Sequence, residues 1–286
     1  IRRPPRSTQG VSSAASDVYK RQILRTTMTN SKERHRLSLI IATLGPSTDD
    51  EKELVTMLIA GIARQWTDGV DIARVVHGDG ETIVKNRVDI FREQCNKRKL
   101  DTAIYLDTND VDDKNFQDYL KFAVGLSPKY LSIPKAFGLD KIKEAKKSLS
   151  DETLVGVRVK NHDDISDLDA FLENSNFVMV ELESKVIVDE KIVEKAKNHN
   201  CEPIYLAKMP TLMKGQVQSR DENFEIGHTL EEGFDIVALY DETANGPYAA
   251  RSVKCIDEIA VESEKLRVNP FSDLMDKIFG IFKKKN

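Results

Sequence analysis

The chain has 286 residues, of which 40% are apolar and 31% are charged, and its formal net charge is −4. These values suit one large domain, because a single α/β barrel takes about 250 residues. No apolar run approaches the ~20 residues that a membrane-spanning helix needs. The three cysteines lie far apart without a Cys-x-x-Cys pair, which argues against a disulfide framework or a zinc site. Reduced cysteines are typical of the cytoplasm, which is the location that we expect.

The amino-terminal segment differs in composition from the rest of the chain. It is rich in Pro, Ser and Arg, and it lacks the apolar stretch of a secretory signal. We expect residues 1–27 to be a non-native or disordered leader, with the native chain beginning at Met28. A basic transit peptide is the alternative, and it would direct the protein to a mitochondrion or another organelle. Without the six basic residues and one acidic residue of this segment, the net charge of −4 becomes −9, which argues against nucleic-acid binding.

From residue 36 onward, short apolar runs alternate with longer amphipathic ones. Several short runs are nearly continuous in Val, Ile and Leu, as expected for parallel strands that are covered on both faces. Strands are predicted at 37–44, 70–76, 102–107, 129–133, 153–160, 177–182, 203–208 and 235–240. Helices are predicted at 49–60, 80–97, 114–126, 138–149, 163–173, 188–199, 219–233 and 246–265. Eight strand–helix units predict a single-domain (β/α)8 TIM barrel over residues 28–266.

A further helical pattern follows the barrel at 267–286. Its apolar residues recur at helical spacing and three lysines lie near its end, which predicts an amphipathic helix. Packing against the barrel, binding to a protein partner through residues 269–286 and attachment to a membrane surface are the three roles left open. Asp273 and Asp276 argue against the membrane role, so we do not expect a membrane partner.

Short motifs in chain order resemble those of the pyruvate kinase family. TLGPS at 43–47 resembles the family's T-[IL]-G-P-[AS] turn, and GVDIAR at 69–74 resembles its second strand, G-M-N-V-A-R. LDT at 106–108 resembles the end of its third strand, and LYDETANGPY at 239–248 is similar to L-S-G-E-T-A-K-G-x-Y. The order and strand placement of the motifs agree over about residues 37–266. The chain is therefore identified as a degenerate member of this family that matches its barrel domain only.

The resemblance implies that part of the family's site survives at the carboxyl ends of the strands. It implies that Arg74 binds the substrate phosphate and that Asp107 and Thr108 are two of the four contributors to a potassium site. The other two positions hold Val76 and Gly78. Half of the potassium site is therefore expected to be lost.

The resemblance also implies that the catalytic and magnesium-binding residues are replaced. RVKNH at 158–162 follows the fifth strand, where the family carries its K-I-E-N motif. The phosphoryl-steadying lysine becomes Arg158, and the magnesium-binding glutamate becomes Lys160, which offers no oxygen to a hard cation. The second magnesium carboxylate becomes Ser184, and the catalytic threonine becomes Lys208. No catalytic residue is then intact and we expect no cofactor, with Mg²⁺ and K⁺ required only if the family's activity survives.

Four cations are expected to form a positively charged barrel mouth: Arg74, Arg158, Lys160 and Lys208. In one interpretation, the first three bind a phosphorylated small-molecule acid, with Lys160 in place of the metal's charge. In the other, which we favour, the cations pair with Asp107, Glu181 and Glu183 and fill the vacated site.

We expect a pyruvate kinase-like barrel that has lost catalysis and acts as a binding or structural pseudoenzyme. Phosphoryl transfer depends on positioning and on cations that offset developing charge. The family's mobile lid, which excludes water, also has no counterpart after the third strand. The alternatives are an active enzyme that transfers phosphate from phosphoenolpyruvate to ADP in glycolysis, and a sensor of a phosphorylated metabolite.

Overall fold

A closed barrel of eight parallel strands forms the part of the protein that the computed structural model describes, which is residues 36–60, 69–108, 113–160, 167–181 and 190–267. The strands are β1 Leu39–Thr43, β2 Ile72–Val76, β3 Ala103–Asp107, β4 Tyr130–Pro134, β5 Leu154–Val159, β6 Phe177–Val180, β7 Glu202–Ala207 and β8 Ile236–Leu239. They pair in chain order, and β1 closes the barrel against β8. The predicted (β/α)8 TIM barrel is therefore confirmed. The predicted leader at 1–27 and residues 268–286 lie outside the described residues.

Helices alternate with the strands, as the sequence predicts. They are α1 Glu51–Leu58, α2 Glu81–Arg98, α3 Phe116–Leu126, α4 Leu139–Ser148, α5 Leu168–Leu172, α6 Glu190–Asn198, α7 Arg220–Glu232, α8 Asp241–Ala244 and α9 Ala249–Arg267. The short α8, which we did not predict, follows β8 directly. Of the helices in the described part of the chain, none is both long enough and apolar enough to cross a membrane.

Local sequence signals fix where several helices begin and end. The Asp50 side chain accepts the backbone N–H groups of Lys52 and Glu53 at the start of α1. Ser219 and Glu222 form a capping box at the start of α7, and Gly233 ends that helix with φ of 108°. Side-chain caps satisfy the backbone donors that the first helical turn leaves unpaired, and glycine adopts the left-handed conformation without strain.

Two apolar layers surround the strands. The larger lies between the strands and the helices, and the smaller fills the barrel interior. The interior layer consists of Ile41, Ile72, Tyr105, Tyr130, Phe177, Met179, Ile204, Leu206, Ile236 and Ala238. Gly156 makes room for this layer, because a Cβ there would overlap the Phe177 ring. Since side chains alternate along a strand, the residues two positions beyond this layer point into the barrel mouth.

A buried ion cluster closes the opposite, amino-terminal end of the barrel. The Arg36 Nε donates to Asp257 Oδ1 of α9 at 2.7 Å, and its Nη2 donates to the Gly69 carbonyl at 2.6 Å. Arg36 Nη1 also lies 2.7 Å from Asp71 Oδ2, just before β2. This cluster therefore ties the last helix to the first two strands.

Candidate functional site

Polar side chains of five neighbouring strands meet where the interior layer ends at the barrel mouth. They come from β1, β2, β3, β4 and β5, and we call them the Asp107 cluster: Thr43, Arg74, Asp107, Ser132 and Arg158. All five are buried. The carboxyl ends of barrel strands are where this fold places its chemistry, so the cluster is the centre of the candidate site.

Asp107 holds the cluster together. Its Oδ1 accepts from Ser132 Oγ at 2.9 Å and from Arg158 Nη1 at 2.8 Å. Its Oδ2 accepts from Arg74 Nε at 2.9 Å, and also from Arg74 Nη2 and from Arg158 Nη1. Burial would raise the pKa of Asp107, but the two guanidinium groups outweigh it and lower this pKa to about 2. The carboxylate is therefore ionised at neutral pH, between two positive charges.

Arg74 is held by three strand ends and is 1% exposed. Besides its bonds to Asp107, its Nη1 donates to Thr43 Oγ1 at 2.9 Å. Thr43 Oγ1 in turn donates to the Leu239 carbonyl of β8 at 2.6 Å. The guanidinium carbon of Arg74 lies 4.6 Å from the centre of the Tyr240 ring, in a cation–π contact. Every guanidinium nitrogen of Arg74 therefore has a protein acceptor.

Arg158 links Asp107 to the next strand end and is 2% exposed. Its Nε lies 3.7 Å from Glu181 Oε2, just beyond β6. Burial lowers the pKa of Arg158, but Asp107 and Glu181 raise it above its ordinary value, so the guanidinium stays charged. The structure thus brings these carboxylates to the arginines, as in the pairing interpretation, whereas Glu183 lies outside the described residues.

Thr108 turns away from Asp107. Its hydroxyl donates to the Ser132 carbonyl of β4 and lies 2.8 Å from the Tyr119 hydroxyl of α3. Both oxygens of Asp107 already accept from guanidinium groups, so a potassium ion there would have to displace one positive charge and lie beside the other. The described residues at this position do not fit K⁺.

The described residues do not fit Mg²⁺ either. Lys160 follows β5 and is half-buried where the resemblance implies a carboxylate ligand. Ser184, the second such position, lies outside the described residues. Within the described ranges, no group of three or more His, Cys, Asp or Glu residues is placed to hold a metal ion.

Lys208 is separated from the Asp107 cluster. It is exposed just after β7 and lines a cavity of about 190 Å³ with residues of the β7 and β8 ends, among them Tyr240, Asp241 and Glu242. Glu242 is buried and accepts the backbone N–H groups of Met209 and Tyr240. The predicted cationic mouth is thus divided into a buried arginine pair, the half-buried Lys160 just after β5 and the exposed Lys208 on the cavity wall.

Sequence reasoning missed five residues of the mouth: Thr43, Ser132, Tyr240, Asp241 and Glu242. Ser132 had a usable signal, because it is a polar residue inside the apolar run YLSI at 130–133. Thr43 and Tyr240 lie in motifs that were quoted only for the family resemblance. Nothing in the sequence indicated that the Glu242 side chain accepts two backbone N–H groups.

Comparison with known proteins gives distant relatives of a single kind. No family model matches the chain. The chain is 23% identical over 229 residues to pyruvate kinase 1 and to pyruvate kinase 2 of Trypanosoma brucei brucei, covering 75% of this chain and 46% of each relative. It is 26% identical over 117 residues to a pyruvate kinase of Clostridium acetobutylicum, covering 37% of this chain and 25% of that protein. The chain spans about half the length of the first two curated relatives.

Proposed function

We propose that this distant homologue of the pyruvate kinases, which has the fold of their barrel domain, is a binding or structural component. In this role it does not catalyse phosphoryl transfer. The proposal rests on the Asp107 cluster, in which Arg74 and Arg158 are both committed to one buried carboxylate. Arg74, which the resemblance predicted to bind the substrate phosphate, is here part of the buried structure of the barrel.

The energetic cost of recruiting Arg74 supports this proposal. To bind a phosphate from solvent, its guanidinium group would have to leave Asp107 and Thr43, in a site where it is 1% exposed. Breaking a buried ion pair costs about 3–5 kcal/mol. A substrate would have to supply that free energy before it gained any binding.

Charge stabilisation during transfer is the second support. Phosphoryl transfer relies on cations that bridge and neutralise the moving phosphate. Lys160 provides one fixed positive charge but no coordination positions, and the Asp107 cluster does not fit K⁺. We therefore propose a role that requires neither ion.

A coupled assay tests the proposal. The full chain is incubated with phosphoenolpyruvate, ADP, Mg²⁺ and K⁺, and pyruvate formation is followed. We expect no turnover above background, while an authentic pyruvate kinase added to the same mixture shows that nothing in the preparation inhibits the assay. Turnover that disappears in the Arg74→Met variant would overturn the proposal.

The partner expected through residues 269–286 is a separate proposal. This segment lies outside the described residues, so its support is the helical spacing of its apolar residues and its basic end. Deleting 269–286 tests it: loss of a partner in a pulldown, with the unfolding midpoint unchanged, would support partner binding. Lowered stability with an unchanged pulldown would contradict it.

A further inference from the structure

The cavity between the ends of β7 and β8 is lined by three ionisable groups: Lys208, Asp241 and the buried Glu242, whose carboxylate already accepts two backbone N–H groups. Lys208 and Asp241 both line it, and both are exposed. Among the described residues, no carboxylate lies within ion-pair distance of the Lys208 ammonium group. Asp241 accepts a hydrogen bond from the Asn245 side chain at 3.1 Å, and this partner is neutral. One wall therefore offers a positive charge and the other a negative charge.

The rest of the lining is largely apolar and held in place. Pro210, Met213 and the Tyr240 ring contribute apolar surface. The Glu242 carboxylate ties the backbone just after β7 to the backbone just after β8, since it accepts the N–H groups of Met209 and Tyr240. The cavity therefore does not depend on a ligand to assemble its walls.

The volume limits the ligand to a small molecule. The cavity measures about 190 Å³. Pockets for drug-sized ligands measure roughly 300–1,000 Å³, so this cavity suits a smaller molecule. A simple anion would be attracted to Lys208 but repelled by Asp241. A simple cation would be attracted to Asp241 but repelled by Lys208. A small zwitterion satisfies both charges.

We propose that this cavity binds a small aliphatic amino acid, whose carboxylate pairs with Lys208 and whose ammonium group pairs with Asp241. The aliphatic side chain then packs against Pro210, Met213 and the Tyr240 ring. The inference rests on the proposed non-catalytic role of the barrel mouth and names a ligand class for it.

Calorimetric titration of the full chain with L-alanine, L-valine and L-leucine tests the inference. Two analogues of valine each lack one charge: 3-methylbutanoate has no ammonium group, and 2-methylpropylamine has no carboxylate. We expect at least one amino acid to bind, and each analogue of valine to bind at least about tenfold more weakly than valine, since each loses one charge-assisted contact. Lys208→Met and Asp241→Asn should each weaken amino-acid binding by about tenfold or more.

Lys143→Met is the matched control, because Lys143 is an exposed lysine on α4 and should leave binding unchanged. The inference is overturned if none of the three amino acids binds at millimolar concentration. It is also overturned if 3-methylbutanoate binds as tightly as valine, or if Lys208→Met and Lys143→Met bind alike. If no amino acid binds and the coupled assay shows no turnover, only the proposed ligand is wrong. If the coupled assay shows turnover, the proposed function is wrong as well.

Discussion

Replacing Asp107 with asparagine will destabilise the barrel, because two buried guanidinium groups would then face a neutral amide of nearly the same shape. The pKa of Asp107 lies at about 2 rather than 3.8. At about 1.4 kcal/mol per pKa unit, this difference corresponds to roughly 2 kcal/mol of stability at neutral pH. Removing one partner of a buried ion pair costs about 3–5 kcal/mol. We therefore expect a loss of roughly 2–5 kcal/mol in the free energy of unfolding, or a fall in Tm of roughly 4–20 °C.

Urea unfolding across a range of pH measures this loss. Because the folded-state pKa of Asp107 is depressed, its contribution is fully present above the unfolded pKa near 3.8 and disappears as pH falls toward about 2. The stability difference between wild type and Asp107→Asn should therefore shrink between pH 4 and pH 2. The control is Asp89→Asn, whose exposed pair with Lys85 at 2.7 Å should contribute under about 1 kcal/mol. Equal losses for the two variants, or a difference that does not change with pH, would refute the reasoning.

Three further outcomes follow from the fold. Arg36→Met leaves Asp257 buried without its guanidinium partner and should cost about 3–5 kcal/mol in urea unfolding. The control is Arg220→Met at an exposed arginine, which should cost under about 0.5 kcal/mol. Equal losses would contradict the role of the Arg36 cluster. Gly156→Ala forces a methyl group into the Phe177 ring and should cost about 1–3 kcal/mol, partly recovered when Phe177 is also replaced by leucine, whereas full stability of the single variant would contradict the packing. Replacing potassium with sodium at constant ionic strength, or adding EDTA, should leave Tm unchanged, because guanidinium groups already neutralise Asp107; a Tm that rises with potassium would contradict this.

The barrel could be predicted because its signal is repeated eight times. Each strand lies within two residues of its predicted ends, for example β3 at Ala103–Asp107 against 102–107. Buried parallel strands need near-continuous apolar runs, so their positions can be predicted from the sequence alone. The short α8 could not be seen in this way, because four residues carry no helical period.

The mouth was predicted only in its composition. The sequence placed Arg74, Arg158 and Lys208 at strand ends, since those ends follow from the strand pattern. It could not tell which cation reaches which carboxylate, because that depends on distances across the barrel. Arg158 spans from β5 to Asp107 on β3, two strands away, whereas Lys208 lines the cavity between the ends of β7 and β8.

One physical constraint explains why the mouth has a buried Asp107 cluster on one side and exposed charges at the β7–β8 cavity on the other. A carboxylate as deeply buried as Asp107 needs positive charge beside it, because an unpaired buried charge is costly. Arg74 and Arg158 supply that charge from side chains of the protein itself, so the ionised Asp107 is stabilised whether or not a metal ion is present. Once Asp107, Arg74 and Arg158 satisfy one another, a ligand at the described part of the mouth is left with charged groups outside this buried cluster. Lys208 and Asp241 are such groups, and for this reason ligand binding at this mouth is expected on the β7–β8 side rather than at the buried arginines.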